Sequence, residues 1–120
     1  MKANELRIGN YVIFNNFIQP EKTVIVDGKF LLPFNKTDLE INNYYQPIPL
    51  TEEWLLKFGF EKHFEDFEKK IVGFYLTYNF NDGISLNGKY MDEPIYIDGE
   101  YVHQLQNLYF ALTGEDLSID

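Results

Sequence analysis

Short β-prone runs bounded by turn residues make up most of this chain, and a helical period is the favoured reading in only two stretches. The first strand-like run is Gly9-Asn10-Tyr11-Val12-Ile13-Phe14. Thr23-Val24-Ile25-Val26 follows, then an Asp27-Gly28 turn and Lys29-Phe30-Leu31-Leu32. Asp-Gly between β-prone runs predicts a hairpin, because both turn residues tolerate positive φ. The polar run Asn35-Lys36-Thr37-Asp38 breaks the pattern, and Pro47 and Pro49 keep the residues before them extended. Residues 1–50 therefore read as mostly β.

Residues 51–59 read as a helix. Thr51 can cap it, Glu52 and Glu53 complement the positive end of its dipole, and Leu50 and Leu55 have the spacing of a hydrophobic staple. Gly59 supplies a left-handed stop. Two turns are too short to be held by propensity, so burial of Trp54, Leu55 and Phe58 has to hold them. Phe60, Phe64 and Phe67 also fit helical spacing, but Gly59 and the strand pattern that follows favour a β arm.

Ile71 to Phe80 reads as one long strand with Val72, Phe74, Leu76, Tyr78 and Phe80 on the core face and Tyr75 on the other. Asn81-Asp82-Gly83 turns into Ile84-Ser85-Leu86, Asn87-Gly88 marks another turn, and Pro94-Ile95-Tyr96-Ile97 reads as a last strand. Residues 60–98 thus form an antiparallel β meander. A helix within 100–113 carries Tyr101, Leu105, Leu108 and Leu112 on one stripe and ends at Gly114. Its opposite face, His103, Gln104, Gln106 and Asn107, is polar but nearly uncharged, which predicts partial cover by protein.

A third of the residues, 40 of 120, are Leu, Ile, Val or Phe, enough for one folded core and too few for two. The order β, helix, β, helix predicts a single α+β domain over residues 1–120. Net charge is −9, and it is lopsided: residues 1–60 carry −1 and residues 61–120 carry −8, with no Lys or Arg after Lys89. That balance argues against a nucleic-acid backbone as the principal partner, since phosphate binding needs clustered cations. The start lacks the apolar stretch of a signal peptide and no window is apolar enough to span a bilayer, so the expected location is cytoplasmic with no membrane partner.

Chemistry-bearing patterns are sparse. Without cysteine there is no thiolate nucleophile, disulfide or cysteine-based zinc site. His63 and His103 have no second histidine at i+3 or i+4, and Asn81-Asp82-Gly83 lacks the remaining ligands of a calcium loop. Glu52-Glu53, Glu65-Asp66 and Asp92-Glu93 read as solvated charge rather than as an acid/base dyad. No Gly-rich phosphate loop or Gly-x-Ser-x-Gly turn occurs. The expectation is a protein that is not an enzyme, with no catalytic residue, no metal and no cofactor.

Three segments resemble a family of small uncharacterised proteins of bacterial phages and integrated mobile elements. They are Asn4-Glu5-Leu6-Arg7-Ile8-Gly9-Asn10-Tyr11-Val12, the stretch from Pro49 through Thr51 and Trp54 to Phe60, and the stretch from Tyr101 through His103 and Gln106 to Glu115. The resemblance implies a context and no chemistry. The opening Leu6-Arg7-Ile8-Gly9-Asn10-Tyr11-Val12 is also similar to the first strand of SH3-like barrels, which implies an N-terminal SH3-like small β-barrel or sheet ahead of the middle helix.

What remains is the combination of rings and acids. Tyr75 and Tyr96 should point outward, Tyr96 between buried Ile95 and Ile97, with Tyr90 in the intervening turn and Asp92, Glu93, Asp98 and Glu100 as a negative rim. Tyrosine is enriched in interface cores, and complementary charge speeds encounter with a basic partner. The leading expectation is a protein–protein interaction module that engages a basic protein through this surface, as an inhibitor or modulator of a host nucleic-acid-handling protein. Two other readings stand beside it. One is a nucleic-acid-binding module built on the N-terminal part, where Lys2, Arg7, Lys22, Lys29 and Lys36 lie. The other is a structural protein that assembles into homo-oligomers.

Overall fold

The structure, a computed structural model, describes residues 6–14, 22–26, 45–71, 73–88, 91–117 and 119. It is α+β, with two antiparallel sheets and two helices among these residues. Strands β1 (Tyr11–Phe14), β2 (Lys22–Ile25) and β3 (Tyr45–Gln46) form a sheet in the order β2-β1-β3. Helix α1 (Glu52–Lys57) follows. Strands β4 (Glu61–His63), β5 (Asp66–Ile71), β6 (Phe74–Asn79), β7 (Gly83–Asn87) and β8 (Ile95–Ile97) then form a five-stranded meander in chain order, and helix α2 (Val102–Thr113) completes the fold. Among the described residues the strands form two separate open sheets and no closed barrel, so of the expected N-terminal SH3-like barrel or sheet the structure gives an open three-stranded sheet. The Asp27-Gly28 hairpin and the Lys29–Leu32 strand lie outside the described residues.

Local signals account for both helices. The Thr51 hydroxyl accepts from the Trp54 amide at 3.3 Å, and Gly59 adopts φ +88° immediately after the Phe58 cap. Losing such an N-cap typically costs about 1 kcal/mol. Lys69, on the core face of β5, reaches the end of α1 and donates to the Phe58 carbonyl at 3.0 Å, placing a cation at the negative end of the helix. In α2, Gln104 Oε1 accepts from the amides of Glu100 (2.9 Å) and Tyr101 (3.2 Å), and Gly114 at φ +74° closes the other end.

The meander departs from the alternation pattern at one point. Ile71–Phe80 is two strands rather than one: the chain reverses at Gly73 (φ +79°), so Ile71 pairs with Phe74. Alternation on either side of a two-residue turn looks continuous in sequence, which is why the turn escapes a period-two reading. Leu76 and Tyr78 are buried as expected, but Phe74 and Phe80 at the two ends of the same face are exposed, and Val72 is outside the described residues.

The main core joins Phe67, Ile71, Leu76, Ile84 and Leu86 of the meander to Leu55 of α1, Phe58 at its C-cap, and Val102 and Leu105 of α2. Full burial of a side chain such as Leu55 or Leu105 contributes about 1.5–3 kcal/mol. Leu112, expected on the buried stripe of α2, is exposed, because the helix runs past the core in its last turn. The uncharged face of α2 is covered as expected. Gln106 is buried, accepts from the Tyr11 amide at 2.9 Å and donates to the carbonyls of Gly9 and Leu117, while Asn107 accepts from Asn10 at 2.9 Å. These bonds tie the three-stranded sheet to the rest of the molecule. Arg7 reinforces the junction with its guanidinium 3.8 Å above the Phe110 ring and 3.1 Å from Asp116. No helix among the described residues is long and apolar enough to cross a membrane.

Candidate docking surface

Strand register decides which loops become neighbours. His63 pairs with Asp66, Asp66 with Asn79, Asn79 with Gly83, and Ile84 with Ile97. Three connections therefore emerge at one end of the meander: Phe64-Glu65, Phe80-Asn81-Asp82 and Asp98-Gly99-Glu100. Phe64 occupies the turn between β4 and β5 at φ +58° with 97% of its surface in solvent. A bulky side chain in this left-handed region carries backbone strain. Phe80 is 54% exposed and packs edge-on against Phe67 (5.8 Å) and Tyr78 (5.1 Å).

Phe80 stands between two depressions. On one side an open cleft of about 470 Å³ is lined by Tyr78, Phe80, Asp82, Asp98, Glu100 and Gln104, among others, and its described lining holds three carboxylates and no cation. On the other side a groove of about 280 Å³ includes Phe64, Glu65, Lys62 and Glu52. Its charge is partly neutralised by the Lys62–Glu52 ion pair at 2.9 Å. Burial, and secondarily the Glu100 carboxylate, push the Tyr78 hydroxyl above its ordinary pKa. At neutral pH Tyr78 is thus a neutral donor facing an anionic cleft.

The acidic lip is held in place. The Leu50 amide donates to the Glu100 carbonyl at 2.9 Å and the Val102 amide to Ile48 at 2.8 Å, pinning the segment on both sides of Tyr101. Gly99 lies so close to the core that a Cβ there would come within 2.7 Å of Ile84 Cδ1. Only glycine lets Asp98 and Glu100 sit this low over the sheet.

Tyr75 and Tyr96 do point outward, on the same face of the meander. They lie two strands and two residues apart, a Cα separation of about 12 Å from ideal sheet spacings. Their surroundings differ. Tyr75 pairs across the sheet with Lys70, whereas Tyr96, 64% exposed, has acids beyond both ends of its strand. Asp92 and Glu93 are exposed just before β8 and Asp98 and Glu100 just after it, so the four carboxylates bracket β8 rather than cluster. Tyr90 lies outside the described residues. Ile95, expected to be buried, is 53% exposed, because β8 is the outermost strand and the core stops at β7 at that level. Phe64, Phe80 and Asp82 were missed by sequence reasoning. Phe64 left one signal, its position between two short alternating runs with no glycine to make the turn.

His63 Nε2 lies 3.7 Å from a Glu61 carboxylate oxygen, and His103 is buried and stacked on Tyr101 at 6.1 Å. Among the described residues no three such groups converge. Comparison of the chain with protein families, curated proteins and solved structures gives no match.

Proposed function

We propose that this protein is a non-enzymatic interaction module that docks a basic protein through the acidic, ring-bearing side of its meander. The observation that carries the reading is the placement of exposed Phe80 with Asp82, Asp98 and Glu100 around one cleft, with no cation among the described residues that line it, and with exposed Tyr96 on the other face of the neighbouring strand. Exposed rings supply area that a partner can remove from water, and uncompensated carboxylates select a positively charged partner and accelerate its approach. A protein whose own surface is built to hold phosphate presents that kind of positive charge, so nucleic-acid-handling proteins are the first partner class to test, with this chain as inhibitor or modulator.

Fluorescence anisotropy with a labelled lysine-rich peptide tests the reading. Binding at about 20 mM salt should weaken at least tenfold by about 300 mM, as charges across an interface become screened. Replacing Asp98→Asn and Glu100→Gln together should weaken the low-salt binding by about 3–10-fold. Equal affinity for a glutamate-rich peptide, or no binding at low salt, overturns it.

A further inference from the structure

Among the described residues the meander has two outer strands, β4 and β8. An outer strand leaves half of its amides and carbonyls unpaired within its sheet, and such edges are commonly guarded by charged side chains. β4 is guarded: it reads Glu61-Lys62-His63 and all three residues are exposed. β8 reads Ile95-Tyr96-Ile97, carries no charge, and exposes Ile95 and Tyr96.

We infer that β8 is a strand-addition site that takes an extended basic segment of another protein as a sixth strand of the meander. The inference rests on the docking reading above and specifies its geometry. Main-chain hydrogen bonds along the β8 edge would supply the contact common to any extended segment, and alternate side chains would supply selectivity. On one face, an apolar residue of the incoming strand would cover Ile95. On the other, a lysine or arginine would lie over the Tyr96 ring, with Asp92 and Glu93 at one end of the strand and Asp98 and Glu100 at the other. Pro94 has no amide hydrogen, so pairing would begin at Ile95.

The same acids exclude a second copy of this chain. Two β8 edges paired antiparallel about Tyr96 would set Asp92 of one copy opposite Glu100 of the other and bring Asp98 beside the other copy's Pro94 and Glu93. Like charges held that close oppose pairing. A segment of opposite charge meets attraction at every one of those positions, so the flanking acids guard this edge against itself while leaving it available to a basic strand.

The experiment uses a labelled octapeptide of alternating lysine and valine, and an analogue of the same charge and side chains with every backbone amide N-methylated. Titration is followed by anisotropy, and backbone hydrogen exchange by NMR. Strand addition predicts slowed exchange within residues 95–97 on binding, and at least about tenfold weaker binding of the methylated analogue, which has lost its main-chain donors. Salt-sensitive binding that methylation leaves unchanged, with exchange at β8 unaltered, overturns strand addition while the docking reading survives. If neither peptide binds at low salt, both are overturned. Slowed exchange at β8 without peptide, together with a doubled mass in solution, assigns the edge to self-pairing and also overturns the inference.

Discussion

The two outer strands of the meander are each three residues long and antiparallel to their neighbours, yet they are finished in opposite ways. β4 places a carboxylate, an ammonium and an imidazole along its edge. Lys62 is further occupied by Glu52 at 2.9 Å, and its charge lies 5.9 Å from the Phe67 ring. Any strand approaching β4 must displace hydrated charge. β8 has only aliphatic and aromatic groups along its length and charge at its two ends. The difference teaches where protection against aggregation can be placed: within the edge strand, which blocks every partner, or beside it, which blocks only partners of the same charge.

Rewriting β8 in the manner of β4 should have the largest effect. Ile95→Glu combined with Tyr96→Lys keeps the local charge sum but removes both exposed apolar groups, and should weaken the lysine–valine octapeptide more than tenfold. Because both side chains are exposed, the variant should melt within a few degrees of the parent; stability change at exposed sites is usually within about 0.5 kcal/mol. The converse change, Glu61→Val with His63→Val, removes two of the three guarding groups of β4, leaving only Lys62, which Glu52 already engages, and places no acids beside it in the β8 pattern. Its mass by light scattering should rise above the parent's with concentration, whereas the parent's should not.

A third change tests whether Phe64, at the turn beside β4, takes part in docking at β8. Phe64→Gly removes the strain of φ +58° and should stabilise the fold by about 0.5–1 kcal/mol, after allowing for the greater freedom of glycine in the unfolded chain. Octapeptide affinity should not change. If it falls, the docking surface extends across Phe80 to the β4 side.

The smallest effect concerns Tyr78, beneath the acidic lip. Its hydroxyl pKa is raised in the folded protein, so the folded state holds this proton more tightly than the unfolded chain does. The corresponding stability is complete below the ordinary tyrosine value and is lost as pH rises from there through the folded value. Glu100→Gln removes the lesser of the two causes. In a spectrophotometric titration Tyr78 should then ionise at a lower pH, still above the ordinary value because burial remains.

Much of the local structure was legible in the sequence. Thr51, Gly59 and Gly114 bound the two helices, and the β arm after Gly59 follows from alternation, because capping groups and alternating faces act over a few neighbouring residues. The outward orientation of Tyr75 and Tyr96 came from the same period of two. Tertiary structure alone decided that Ile71–Phe80 folds back at Gly73, that Phe64, Phe80 and Asp82 share one end with Asp98 and Glu100, and that β8 rather than β4 is the unguarded edge. The burial of Gln106 against Gly9, nearly a hundred positions earlier, belongs to the same class. Composition and spacing can state which residues are apolar, charged or able to turn. Which strand lies outermost, and which loops meet at its ends, follows from pairing choices between segments far apart in the chain, settled by the free energy of the whole packed arrangement.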